Sequence, residues 1–282
     1  MTTIAGRSEK PRFSIPYTEL LLLLVAVFWG SSYGLTKEAL VFAPVLLFIG
    51  IRFSLTFLCL LPLALRDFKS GMSDDWKVAI PTGAILSSIF FFEVYGVFHT
   101  TASNAAFLIS LSVILTSFAE YFINGKRIAN RMIFLTLSSV TGVFLLTRSG
   151  AVGLILNFGD YLILMAALLR AVMVTATKRV TTGKAITNTT LTCLQSLVVA
   201  TSALFVAAFT LESAEFSLPT ENKFWLIVIY MVVFCTLFAF YVQNYAVRKI
   251  SPTKASLLMG SEPCLVPCSL CSGWMKCFPC FK

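Results

Sequence analysis

Apolar residues fall in long runs along this chain, and the polar residues collect in the short gaps between them. Nine runs stand out, at 19–36, 44–65, 78–98, 103–123, 131–148, 159–178, 187–210, 224–247 and 252–274. Each approaches the roughly 20 residues that an α-helix needs to cross a hydrocarbon core of about 30 Å. Backbone N–H and C=O groups have no water partner in lipid, so a spanning segment must satisfy them internally. The strands of a barrel would be about half as long. The pattern predicts an all-α polytopic membrane protein with nine visible spans.

Composition agrees. Of the 282 residues 57% are hydrophobic and 12% charged, where a soluble domain carries about 25% charged residues. A net charge of +9 raises the question of nucleic acid. The placement of the charge argues against it, because Lys and Arg form no single face and crowd alternate gaps instead. Arg7, Lys10 and Arg12 precede the first run, and Arg66, Lys69 and Lys77 fill the second gap. Lys126, Arg127 and Arg131 fill the fourth, Lys178, Arg179 and Lys184 the sixth, and Arg248, Lys249 and Lys254 the eighth. The first, fifth and seventh gaps hold only Lys37, Arg148 and Lys223, and the third has no basic residue. Basic loops stay on the cytoplasmic side, so residues 1–18 are expected there. The basic start leads into a full-length span, so no cleaved signal peptide is expected.

The runs also repeat. At an offset of 150, Phe90 meets Phe240, Glu93 meets Gln243, Tyr95 meets Tyr245, Val97 meets Val247, Ala105 meets Ala255 and Leu108 meets Leu258. At an offset of 141, Glu19 to Lys37 runs beside Asp160 to Lys178; Trp29 meets Arg170, and Thr36-Lys37 meets Thr177-Lys178. This predicts two halves, 19–148 and 159–263, of about five spans each. Five is an odd number, so the second half must be inverted. Inverted repeats mark secondary transporters, whose substrate site lies between the repeats near mid-membrane.

Several pieces resemble the EamA-type transporters of the drug/metabolite transporter superfamily. They are Phe28-Trp29-Gly30-Ser31-Ser32, Ile51-Arg52-Phe53, Ala102-Ser103-Asn104-Ala105-Ala106-Phe107-Leu108, Ser251-Pro252-Thr253-Lys254-Ala255 and Ser261-Glu262-Pro263. The resemblance spans about residues 17–263 and rests on their order and spacing. It implies two five-helix inverted repeats, ten spans, cytoplasmic termini, and export or exchange of small metabolites by alternating access. Three features depart from it. Val113 stands where the family usually has Pro, Gly125-Lys126-Arg127 replaces Gly-Glu-Arg, and the tenth span is missing.

The tail, 264–282, changes character. Cys264, Cys268, Cys271, Cys277 and Cys280 crowd it, against Cys59, Cys193 and Cys235 in all that precedes. Its two C-x-x-C pairs lie closer together than zinc ribbons place theirs. Palmitoylation would put the lipid on the outer side of this topology. The favoured expectation is an altered reading frame after Pro263, which would make this a truncated product.

Ionisable groups inside spans cost about 2.5–3.5 kcal/mol each, so each needs a reason. Arg170 is expected mid-span, equivalent to Trp29, which suits an anionic or zwitterionic solute. The alternative is a buried Arg paired with Glu93 or with carbonyls. Arg52 reads first as a structural anchor. Glu93 either pairs with a cation, takes up a proton, or snorkels to water. Glu120 is expected to snorkel. Glu262 and Pro263, with Pro252, are gating or structural candidates. Tyr33, Tyr95 and Tyr245 are aromatic candidates for a cavity wall, and Asn104, Gln195, Gln243 and Asn244 can bond either a solute or a neighbouring helix. His99 reads as a solvated link residue.

The function expected is a secondary transporter, most simply an exporter, of small amino-acid-like or drug-like organic metabolites in the inner membrane of a bacterium. A transport-inactive fragment is the alternative. An intramembrane enzyme is disfavoured, since the spans hold no nucleophile–base set, paired acids or metal ligands. No phosphate-binding G-x-x-x-x-G-K-[ST] loop occurs, so any energy comes from an ion, proton or substrate gradient. No cofactor or metal is implied, and the oligomeric state stays open.

Overall fold

The computed structural model describes residues 17–125, 156–212 and 217–261, with scattered positions between 130 and 141. It is all-helical there, and seven of its helical segments are long and apolar enough to span a bilayer. They are Tyr17–Ala39, Val45–Lys69, Trp76–His99, Ala102–Asn124, Phe158–Thr181, Asn188–Thr210 and Asn222–Lys249. Each coincides with a run expected from the pattern, within a few residues at the ends. The expected fifth span falls almost wholly outside the described residues, as do Glu262, Pro263 and the cysteine-rich tail; the ninth is described only as Pro252–Met259.

The helices are α1 (Tyr17–Ala39), α2 (Val45–Lys69), α3 (Ala79–His99), α4 (Ala102–Ser110), α5 (Ser112–Asn124), α6 (Phe158–Thr181) and α7 (Asn188–Thr210). After them come α8 (Asn222–Tyr230), α9 (Ala239–Lys249) and α10 (Pro252–Met259). Their ends follow ordinary capping chemistry. Thr101, Thr187 and Ser251 accept the amides three residues on, at the starts of α4, α7 and α10. Asn157 and Asp160 form a reciprocal capping box at the start of α6. Gly125 ends α5 at a positive φ of 64°, where a Cβ would strain the backbone. One span is uneven. Between α8 and α9 the chain winds into a π-helix, Met231–Phe238, whose turns hold one residue more than an α turn.

The principal packing partners cross between the expected halves: α2 lies on α7, and α3 on α6 and α7. The core they enclose joins Phe48, Phe53 and Phe90 to Phe224, Met231 and Phe240. A smaller cluster joins Tyr33, Val97, Ala105 and Ile109 to Ile163 and Ala166. Large apolar side chains such as Leu20, Leu58, Phe118, Phe122, Phe205 and Phe209 face outward. Outward apolar groups on helices of spanning length are what lipid requires, and the chain is an integral membrane protein.

Candidate functional site

A polar cavity lies within the bundle, lined from five helices. From α1 come Trp29, Ser32, Tyr33 and Thr36, spaced three, four and seven residues along one helical face. From α3 come Leu86, Ile89, Phe90, Glu93, Val94 and Val97, again one face. Arg52 of α2, Arg170 and Met173 of α6, and Phe240 and Gln243 of α9 complete it. Trp29 and Arg170 sit near the midpoints of their helices.

Three pairs matched by the sequence offsets meet here. The Arg170 guanidinium lies over the Trp29 ring, 4.3 Å from its centroid, within the range of a cation–π attraction. The Phe90 and Phe240 rings meet at 5.9 Å. Glu93 and Gln243 line the same space. The Glu93 carboxylate lies within electrostatic reach of Arg170 and Arg52 and accepts a hydrogen bond from the Tyr33 hydroxyl. Snorkelling to water is therefore not its arrangement here. The Gln243 amide oxygen is buried without a hydrogen-bond partner among the described residues.

Arg52 is held by the π-helix. Its Nε donates to Thr236 Oγ1 at 2.8 Å, and its Nη2 reaches the Cys235 carbonyl at 3.5 Å. The Trp29 indole N–H donates to that same carbonyl at 2.9 Å. The Thr236 hydroxyl closes the wide turn on the Met231 carbonyl at 2.8 Å. Phe90 stacks under the Arg52 guanidinium at 5.2 Å. A buried cation thus gains partners that offset part of its desolvation, and the π-helix fixes both Arg52 and Trp29 at the cavity wall.

Other sequence candidates lie elsewhere. Gln195 and Asn244 bind each other and neighbouring helices: Asn244 Nδ2 donates to Gln195 Oε1 at 3.1 Å and to Thr192 Oγ1 at 2.9 Å, and Gln195 Nε2 donates to Thr82 Oγ1 at 3.0 Å. They join α9, α7 and α3 without lining the cavity. Tyr245 takes a hydrogen bond from Lys249 at 2.6 Å and has that ammonium over its ring. Tyr95 packs on the core from its edge, and Asn104 is exposed in the first turn of α4. Pro252 is buried in the first turn of α10. His99 is exposed against Phe98 and Phe158. Glu120 departs from expectation. Rather than reaching water it is buried, and accepts the Thr253 amide at 2.9 Å and the Thr253 hydroxyl at 2.5 Å. A carboxylate at a helix N-terminus satisfies free amides and opposes the positive end of the dipole.

Two short links close the ends. Lys37 of α1 donates to the Thr100 carbonyl between α3 and α4. The Thr100 hydroxyl donates to Asp160, at the start of α6, at 2.6 Å. At the other link, Lys178 of α6 donates to the Arg248 and Ile250 carbonyls at 3.0 Å each, and Lys254 reaches Glu19, at the start of α1, at 2.5 Å. Glu19 and Lys37 stand 18 residues apart on one helix, about 27 Å at 1.5 Å per residue. The links therefore lie at opposite ends of α1. The repeated Thr-Lys of α1 and α6 was the sequence signal for these ties. The lining roles of Ser32 and Thr36 were readable from their spacing to Trp29, while nothing in the sequence marked the π-helix.

Comparison with known proteins gives consistent matches. The model of the EamA-like transporter family matches residues 16–148 and 157–269. An uncharacterized transporter of Archaeoglobus fulgidus is 33% identical over 153 residues, 54% of this chain and 46% of that relative. In Bacillus subtilis, the uncharacterized transporter YvbV is 25% identical over 70% of this chain and 64% of its own. The uncharacterized transporter YetK, of the same organism, is 28% identical over 78% of this chain and 68% of its own. The matched stretch thus spans about half to two thirds of each relative. A crystal structure of another protein shares the fold at a TM-score of 0.72, over 92% of this chain and 88% of that one, at 17% identity.

Proposed function

The chain belongs to the EamA-like transporter family, and from that premise we propose that it is a secondary transporter that exports small organic metabolites by alternating access. Of the amino-acid-like and drug-like solutes expected, the small cavity favours those of amino-acid size or less. Two inverted halves, 19–148 and 159–263, enclose the binding site, with residues 1–18 in the cytoplasm and the bundle in the inner membrane of a bacterium. The observation that carries this reading is the cavity. Its walls hold Trp29 with Arg170, Phe90 with Phe240, and Glu93 with Gln243, the pairs that the two sequence offsets match. Residues equivalent in two inverted repeats converge where the repeats face each other, near mid-membrane. The tied links at opposite ends of α1 support it further, because alternating access needs one closure at each end of the site.

The test is uptake and efflux of a solute panel in proteoliposomes. Arg170→Ala, inserted at normal yield, is expected to abolish saturable transport. Unchanged transport removes the cavity from the pathway. Labelling of tags beside His99 and beside Ile250 is expected from opposite sides of the bilayer. Labelling from one side only defeats the inverted arrangement.

A further inference from the structure

Among the described residues the cavity is short of one negative charge. Its lining holds two cations, Arg52 and Arg170, and one carboxylate, Glu93. An excess charge in a low-dielectric interior is costly and is relieved by a counter-charge brought in by a ligand. The site is also short of one hydrogen-bond donor. Gln243 is only 5% exposed, lines the cavity, and its amide oxygen has no partner among the described residues. The space is small, about 40 Å³ open to the centres of water molecules, where one water needs about 10–15 Å³. It admits a solute of a few heavy atoms, pressed between the rings of Trp29, Phe90 and Phe240.

Building on the transporter reading, we infer that the cavity takes a small organic monoanion that carries a hydroxyl group, a short hydroxycarboxylate. The carboxylate lies against Arg170 on the side away from Trp29 and restores neutrality, while the hydroxyl donates to Gln243 Oε1. A cation would add to the excess charge. A zwitterion would leave the excess where it was and place its ammonium beside two guanidinium groups.

Counterflow of labelled L-lactate into proteoliposomes of the full chain tests this, with empty liposomes setting the passive leak. Unlabelled propionate, L-alanine and choline serve as competitors. Propionate lacks the hydroxyl, alanine is a zwitterion and choline is a cation. Lactate is expected to compete about tenfold better than propionate, the worth of one hydrogen bond, with alanine and choline weaker still. Gln243→Leu is expected to bring the lactate-to-propionate ratio to near one. A purely structural role for Gln243 would lower both and leave the ratio alone. Arg170→Gln is expected to abolish competition by both acids, and Arg170→Lys to restore part of it. Preferred exchange of alanine or choline that Arg170→Gln removes would overturn the monoanion and leave the transporter standing. A lactate-to-propionate ratio unmoved by Gln243→Leu would overturn the hydroxyl contact. Absence of exchange for every one of these four solutes would overturn the monoanion, and the transporter reading then stands or falls on the wider solute panel.

Discussion

The two links differ in how the first helix of each half is seated against them. At the Thr100 link the start of α6 is seated backbone to backbone. A Cβ on Gly159 would come within 2.8 Å of the Gly96 carbonyl oxygen and of the His99 carbonyl carbon, and one on Gly96 would press Ile163 at 2.6 Å. Asp160 beside them is 2% exposed and fully engaged by Asn157 and Thr100. At the Ile250 link the start of α1 has no such seat. The positions equivalent to Gly159 and Gly96 are Thr18 and Ala246, and the tie from Glu19 to Lys254 is partly exposed. Contact between backbones leaves no room to yield, whereas a solvated ion pair between two long side chains yields readily. The Ile250 link is therefore the end expected to part first. On the proposed topology it faces the cytoplasm, which suits loading of a solute for export.

The largest effect is expected from Gly159→Val. Overpacking a closed seat costs about 1–3 kcal/mol, read as a fall in Tm of the purified chain, with new labelling of a cysteine placed at Ala102. An unchanged Tm would erase the distinction between the two ends. Glu120→Ala comes next, at about 2 kcal/mol, because it strips a buried carboxylate from two donors of Thr253. Its loss is expected to lower Tm without labelling at Ala102, since it loosens α10 alone. Asp160→Asn removes the carboxylate from a capping box and should cost about 1 kcal/mol, again at the Thr100 end. Glu19→Gln should leave Tm at physiological salt where it was, while raising labelling at the Ile250 end; a fall as deep as that of Asp160→Asn would show the two seats to be equally firm.

The smallest effect is electrostatic. Asp75, in the gap between α2 and α3, accepts the Ala185 amide at 2.9 Å and the Lys184 ammonium at 3.3 Å. Those two partners, the amide first, hold its carboxyl below the ordinary value. A depressed folded-state pKa stabilises above the unfolded value of about 3.9. The stabilisation fades as pH falls through the folded pKa. Asp75→Asn should therefore lower the neutral plateau of the Tm profile slightly and leave Tm below the folded pKa where it was, so that the acid limb flattens.

The spans were legible because lipid enforces one rule on every residue of a crossing helix, and the rule is written as length and apolarity. The meeting of Arg170 with Trp29 was legible from register, since the 141-residue offset pairs the two positions and the proposed duplication would bring such pairs together. Gln195 and Asn244 were not separable from Gln243 by sequence. All are amides within spans, and only the packing decides that Gln195 and Asn244 face other helices while Gln243 faces the cavity. Glu120 was misread because its nearness to a helix end suggested water, and the amide that holds it comes from Thr253, far along the chain. The glycine seat was equally hidden: a glycine in a helix reads as a weakness until the neighbour it admits is known.

The wide turn at Met231–Phe238 has a consequence for anyone editing this chain. Substitutions that let the segment relax to ordinary winding at unchanged length would turn everything after it by about 100° about the helix axis. Phe240 and Gln243 would swing off the wall they now share with Trp29, although no residue in the cavity had been altered. A substitution five to twelve positions from Gln243 would thus read in an assay as damage to the pocket itself.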